Sequence, residues 1–258
     1  MQDALRGGKI VCFLFMLIWP AVVSAQTIER LQLVTGNDYL PYTDERLPEG
    51  GMHTEIVRRA LASQGVEISL QFLPWKRGFL ETRDSRFDAT FPYSRTRERE
   101  KDFVYSDPFF DVENRAFVLA GSPLKEAEAR ALKGRIMCSP IGYATPGWIG
   151  EATAAGETRV ESPPDMEDCF RMLNGGRVDF VHSTVEQGWG TAIKILGGRG
   201  AVRMLDGVFF SAQNHLIAAR THPRAAEIIR LFNAGLRDLQ RDGTFQQIIK
   251  RHREAFFL

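Results

Sequence analysis

Cysteine, histidine and net charge are all scarce in this chain, and each scarcity removes a class of function. Only Cys138 and Cys169 lie beyond the first 25 residues, the third cysteine being Cys12. The five histidines (His53, His182, His215, His222 and His252) are scattered, and neither a Cys-x-x-Cys nor a His-x-x-x-His spacing occurs. A metal site therefore has no recognisable donor set, and no cofactor is expected. A Gly-x-Ser-x-Gly elbow and a phosphate-binding P-loop are missing too, which disfavours hydrolase and nucleotide chemistry. Charge of one sign is also lacking: 33 basic residues face 32 acidic ones. Nucleic acid and anionic membrane surfaces therefore have no electrostatic attraction to this chain.

Long apolar runs are confined to the start. Arg6 and Lys9 precede an apolar stretch from Ile10 to Val23, and Val23-Ser24-Ala25 supplies small residues for cleavage. This is the pattern of a secretory signal peptide over residues 1–25. At about 14 residues, including Pro20, the stretch is shorter than the roughly 20 needed for a membrane anchor. No cysteine stands at the cleavage point, which argues against a lipoprotein. Export to the periplasm would place Cys138 and Cys169 in an oxidising compartment, where a pair tends to close. If closed, the bridge contributes on the order of 3 kcal/mol by restricting the unfolded chain; the alternative is two buried free thiols.

What remains alternates short β-rich runs with helical patterns, as in α/β units. Strands are predicted at 31–34, 66–73, 87–93 and 117–120, with helices from Thr54 as N-cap to Gly65 and over 76–86. The pattern restarts after Gly121-Ser122-Pro123. Helices are predicted at 126–132, 145–155, 166–173 and 185–196, and strands at 135–139, 159–161, 178–182 and 202–205. A strand at 215–219 and helices at 224–241 and 245–253 close the chain. This tail has no sheet of its own, so it is expected to pack on the first series. Residues 26–119 with 213–258 then form one lobe and residues 120–212 the other, with two hinge crossovers and a cleft between.

Three stretches carry a resemblance. They are Trp75-Lys76-Arg77-Gly78-Phe79, Phe87-Asp88-Ala89-Thr90-Phe91-Pro92-Tyr93-Ser94-Arg95-Thr96-Arg97-Glu98-Arg99, and Tyr105-Ser106-Asp107-Pro108-Phe109-Phe110. Their order resembles the solute-binding proteins of the polar amino-acid uptake family, served by ABC transporters. Leu132-Lys133-Gly134-Arg135, Gly176-Arg177-Val178-Asp179 and Asp242-Gly243-Thr244-Phe245 extend the likeness along nearly the whole chain beyond the leader. The resemblance implies the type II periplasmic-binding-protein fold, each lobe a mixed sheet flanked by helices.

It also implies a ligand site. Arg99 falls where the family's arginine forks onto a ligand carboxylate. Ser94 falls where a threonine assists, and Pro92 where a carbonyl receives the ligand ammonium. Tyr39 and Trp75 match aromatic positions that sandwich a ligand side chain, the alternative for either ring being the lobe core. Tyr143, Ala144 and Thr145, after Gly142, occupy the place of a turn whose backbone N–H groups face the ligand. Ser183 stands where the family has an aspartate on the ammonium, and a hydroxyl cannot neutralise an enclosed charge. Glu186, one turn on, is the candidate replacement. Gly36 stands where some relatives place an acidic contact.

The function implied is capture of an amino acid or similar small carboxylate by hinge closure and delivery to an ABC permease, by a monomer that is not an enzyme. Periplasmic dehydratases of the cyclohexadienyl dehydratase kind share the fold, with Glu186 or His182 as the possible acid, and a ligand-sensing partner protein is a further alternative.

Overall fold

In the computed structural model, residues 30–257 are described; the expected signal peptide lies outside them. Strand β1 (Arg30–Thr35) runs between β2 (Glu67–Phe72) and β3 (Ala89–Ser94), parallel to both. Parallel neighbours need crossovers, and these are helices α1 (Met52–Ala62) and α2 (Trp75–Arg83). Helix α1 starts before Thr54. Gly51, at φ 100°, is its N-cap, and the Thr54 hydroxyl donates back to the Gly50 carbonyl at 2.8 Å instead of capping. A Cβ at Gly51 would sit 2.5 Å from the Tyr42 carbonyl oxygen, so the chain turns there only as glycine.

Strands β4 (Phe103–Tyr105) and β5 (Phe110–Leu119) follow. The second series comprises α3 (Ala129–Leu132), β6 (Ile136–Cys138), α4 (Gly147–Ala154), β7 (Arg159–Glu161), α5 (Met166–Asn174), β8 (Phe180–Thr184), α6 (Val185–Leu196) and β9 (Val202–Met204). Strand β10 (Phe210–Ala219) and helices α7 (Ala225–Arg241) and α8 (Thr244–Phe257) complete the chain. All strands join one sheet in the order β2-β1-β3-β10-β5-β8-β6-β7, with β4 on β10 and β9 on β5.

The cores are separate. One packs Leu31, Leu33, Ile56 and Phe91 against Ile228, Phe232 and Leu236 of α7 and Ile248 of α8, so the tail does return to the first series. Its apolar residues recur at helical spacing, which is why α7 presents one stripe inward. Glu55, almost fully buried on α1, fastens α8 there: His252 lies 2.8 Å and Arg251 2.5 Å from its carboxylate. The second series encloses Phe117, Phe170, Leu173 and Val181 on one face of its sheet and Met137, Phe180, Leu205 and Phe209 on the other. Cys138 on β6 and Cys169 on α5 are joined by a disulfide, both fully buried. No described helix is long and apolar enough to cross a membrane.

Candidate functional site

Strands β5 and β10 are ten residues each and belong to both halves of the sheet. Asn114 pairs with Phe210 of β10 and with Thr184 of β8, while Asn214 pairs with Phe110 of β5 and Ser94 of β3. The two asparagines thus mark where the halves meet. Between the halves lie an inner cavity of about 60 Å³ and an open outer groove of about 1210 Å³. Ser94, Val112, Ala144 and Phe210 wall both.

Arg99 lines the inner cavity from a short 3₁₀ turn after β3. Its Nη1 donates to the Ser94 carbonyl at 2.9 Å and its Nη2 to the Gly142 carbonyl, in the other half, at 3.0 Å. The guanidinium lies 5.0 Å from the Tyr93 ring centroid and 5.9 Å from that of Phe79, geometry suited to cation–π attraction. Among the described residues no carboxylate pairs with it. Burial pulls its pKa below the ordinary value, opposed by the neighbouring tyrosines, and leaves it charged.

Three aromatic rings meet beside it. Trp75 is fixed by its Nε1 donating to the Asn37 carbonyl at 3.0 Å and by lying on Gly36, where a Cβ would be 2.3 Å from the indole. Gly36 therefore makes room for the ring, and no acidic side chain could share the place. Tyr39 stands edge-on to Trp75 at 6.1 Å. The space next to both is taken by Tyr143 of the second series, 6.2 Å from each centroid and edge-on to each. Burial raises the Tyr143 pKa, so its hydroxyl stays protonated.

Gln187, fully buried on α6, links the halves. Its amide donates to the Asp38 carbonyl at 2.7 Å and to the Tyr143 hydroxyl at 2.9 Å, and its Oε1 accepts from Ser183 at 2.8 Å. Ser183 lines neither cavity, because its side chain points along β8 to α6 and is held by Gln187. Glu186 and Thr145 line only the outer groove. The Glu186 carboxylate accepts from the Tyr42 hydroxyl at 2.8 Å and faces Arg253 at 3.4 Å. The inner cavity gathers Arg99, Ser94, Pro92, Tyr39, Trp75, Tyr143 and Ala144 as expected together.

It also gathers Asn114 and Asn214, which the sequence reading missed, and His182, which that reading named only as a possible acid. Asn214 and His182 are 3 % and 1 % exposed, and Asn214 Nδ2 and His182 Nδ1 have no hydrogen-bond partner. The other ring nitrogen of His182 lies 2.9 Å from the Ser139 hydroxyl. Burial pushes the His182 pKa down to about 4. Polar residues within strands were the available signal, since Gln213-Asn214-His215 interrupts a run that is otherwise apolar from Leu216 onward.

Two α/β halves crossed by two long antiparallel strands, with the cavity where they meet, define a type II periplasmic binding protein fold. Comparison with known proteins supplies the family: residues 31–255 match the model of the bacterial extracellular solute-binding proteins, family 3, and the chain belongs to that family. No curated protein sequence matches it. Among solved structures it is similar to a histidine kinase sensor domain with similarity to periplasmic binding proteins, at TM-score 0.76 and 18% identity over 87% of this chain and 96% of that one. It is also similar to the GluR0 ligand-binding core of Nostoc punctiforme in complex with L-glutamate (0.70, 19%, 86% and 98%). A third likeness is to the arginine-, lysine-, histidine-binding protein ArtJ of Geobacillus stearothermophilus (0.71, 19%, 86% and 94%). These likenesses show the fold.

Proposed function

We propose that this chain captures an amino acid or similar small carboxylate between two lobes, closes over it, and presents the closed form to an ABC permease of the inner membrane. The observation that carries this reading is Arg99: a half-buried guanidinium on the cavity wall between the halves, bonded to two neutral carbonyls and, among the described residues, paired with no carboxylate. A bidentate carboxylate would complete it. In this reading the lobes are residues 26–119 with 213–258, and 120–212. They bend through β5 and β10 near Asn114 and Asn214. Tyr39, Trp75 and Tyr143 flank the ligand, Ser94 and Pro92 lie beside its carboxylate, and the protein works as a periplasmic monomer after its leader is removed.

The reading assigns no catalysis. Glu186 and His182, the candidate acids of a dehydratase, wall different cavities. Thermal-shift screening of the purified protein over amino acids, oxo acids and small dicarboxylates tests the reading, with small-angle scattering on any hit. A raised Tm with a reduced radius of gyration supports capture by closure. A complete absence of hits, or turnover of prephenate or arogenate, overturns it.

A further inference from the structure

Tyr143 reaches the cleft on a turn that the second half of the molecule holds in place. Its amide donates to the Pro140 carbonyl at 3.1 Å, and the Ile141 amide donates to the Pro163 carbonyl at 2.9 Å. Gly142 is the third residue of the turn, at φ 91°, a left-handed conformation that glycine adopts without strain. Its backbone rests on the first half: a Cβ at Gly142 would be in contact with the Trp75 Cβ at 3.4 Å.

Gly142 and Tyr143 together occupy both features that the first half presents. The Gly142 carbonyl takes the Nη2 of Arg99 at 3.0 Å, where a ligand carboxylate would bind. The Tyr143 ring fills the corner between Tyr39 and Trp75, edge-on to each with centroids 6.2 Å apart, an arrangement that aromatic rings favour. The walls of this corner are themselves fixed. Trp75 is seated on Gly36 and held by the Asn37 carbonyl, and Tyr39 packs on Tyr42 at 4.6 Å. The Tyr143 hydroxyl accepts from buried Gln187 at 2.9 Å, so moving the ring out takes an acceptor from that amide.

The inner cavity shares Ser94, Val112, Ala144 and Phe210 with the outer groove. A ligand anchored on Arg99 can extend along that side without moving Tyr143, whereas extension into the aromatic corner costs the contacts of Tyr143 with Tyr39, Trp75 and Gln187. Resting on the solute-capture reading, we infer that Tyr143 is the residue that sets ligand specificity: its ring takes the place of a ligand's aromatic side chain, and the site selects small carboxylates that carry no ring. This holds for amino and oxo acids alike.

Calorimetric titration of the purified, dialysed protein with two pairs that differ by one phenyl group tests it: alanine and phenylalanine, pyruvate and phenylpyruvate. In any pair that binds the wild type, the member without the ring is expected to bind more tightly. In Tyr143→Ala the ratio of the two affinities should move at least tenfold towards the ring-bearing member. A loss of stability alone does not move that ratio, because both members meet the same fold. Tyr143→Val, which also removes the ring, is read instead if the alanine variant does not fold. A ring-bearing acid that binds the wild type as tightly as its partner, or more tightly, overturns the inference, and so does a smaller shift in the variant. If the binding then seen is lost in Arg99→Ala, solute capture stands while Tyr143 loses its role. Binding of neither pair to either protein overturns the inference too, and the capture reading falls with it when the wider thermal-shift screen is also empty.

Discussion

The guanidinium of Arg99 donates to the carbonyl oxygen of Gly142 at 3.0 Å, from one half of the molecule to the other. In the proposed site a ligand carboxylate on Arg99 would compete with this link. Arg99→Ala should weaken binding of any carboxylate at least tenfold, as expected when a charge-assisted bidentate pair is lost. The ligand should raise the Tm of the wild type and leave that of the variant unmoved. Equal shifts in both proteins would remove Arg99 from the site.

Tyr143 and Gln187 form the second link across the cleft, ending on the Asp38 carbonyl. Gln187→Ala leaves that carbonyl and the tyrosine hydroxyl without their partner. A fall of about 1–3 kcal/mol in unfolding free energy is expected from buried groups left unsatisfied. Small-angle scattering of the ligand-free variant should show a larger radius of gyration than the wild type. An unchanged radius would mean that the bridge does not hold the halves together.

The Cys138–Cys169 bridge ties β6 to α5 over a separation of 31 residues. Replacing both by alanine removes a constraint on the unfolded chain and should lower stability by about 3 kcal/mol. Urea unfolding with and without reductant checks this; identical midpoints for wild type, reduced wild type and double variant would refute it.

His182 gives the fold an acid-sensitive element. Burial lowers its pKa from 6.5 to about 4, so between those values the unfolded chain binds a proton that the native state refuses. Stability is complete above about pH 6.5 and declines as the pH falls towards 4, by roughly 3 kcal/mol in all. His182→Asn should make the Tm profile shallower in that window, with buried His53 and His215 supplying the slope that remains. A profile parallel to the wild type would show that other groups set the slope.

Glu55 adds a second acid-sensitive element. Burial raises its pKa, but hydrogen bonds from Arg251, His252 and Arg59 outweigh this and leave it below the ordinary value. Its contribution is present above the carboxylate range and is lost as the pH falls through its native pKa. Arg59 and Arg251 stay more than half exposed, so Glu55→Gln should cost about 2 kcal/mol at neutral pH, less than a fully buried pair. Chemical denaturation at pH 7 and pH 3 should show the difference between variant and wild type shrinking at the lower pH.

The element order was legible because each helix and strand carries its own period. Helix α6 and strand β7 fall where the hydrophobic pattern puts them, and the return of α7 to the first series followed from a tail of one strand and two helices with no sheet of its own. The first halves of β5 and β10 were not legible. Asp111, Glu113 and Gln213 face solvent on strands whose length is fixed by pairing with each other, so local composition says little there. The cavity was half legible. Arg99, Tyr39 and Trp75 stand in motifs with a fixed order, whereas Asn214 and His182 acquire their role only when β10 and β8 are brought to the same cleft. Where Ser183 points was not legible either, because a one-residue alternation along β8 decides between cavity and helix, and sequence spacing alone does not set that phase.

Strands β5 and β10 carry the backbone from one half to the other without a break in hydrogen bonding. Widening of the cleft must therefore be absorbed as twist along two paired ribbons, and the halves cannot slide past one another while the ladder holds. In the proposed capture cycle such a joint would work like a leaf spring, limiting how far the halves part and bringing Arg99 and Gly142 back to the same alignment.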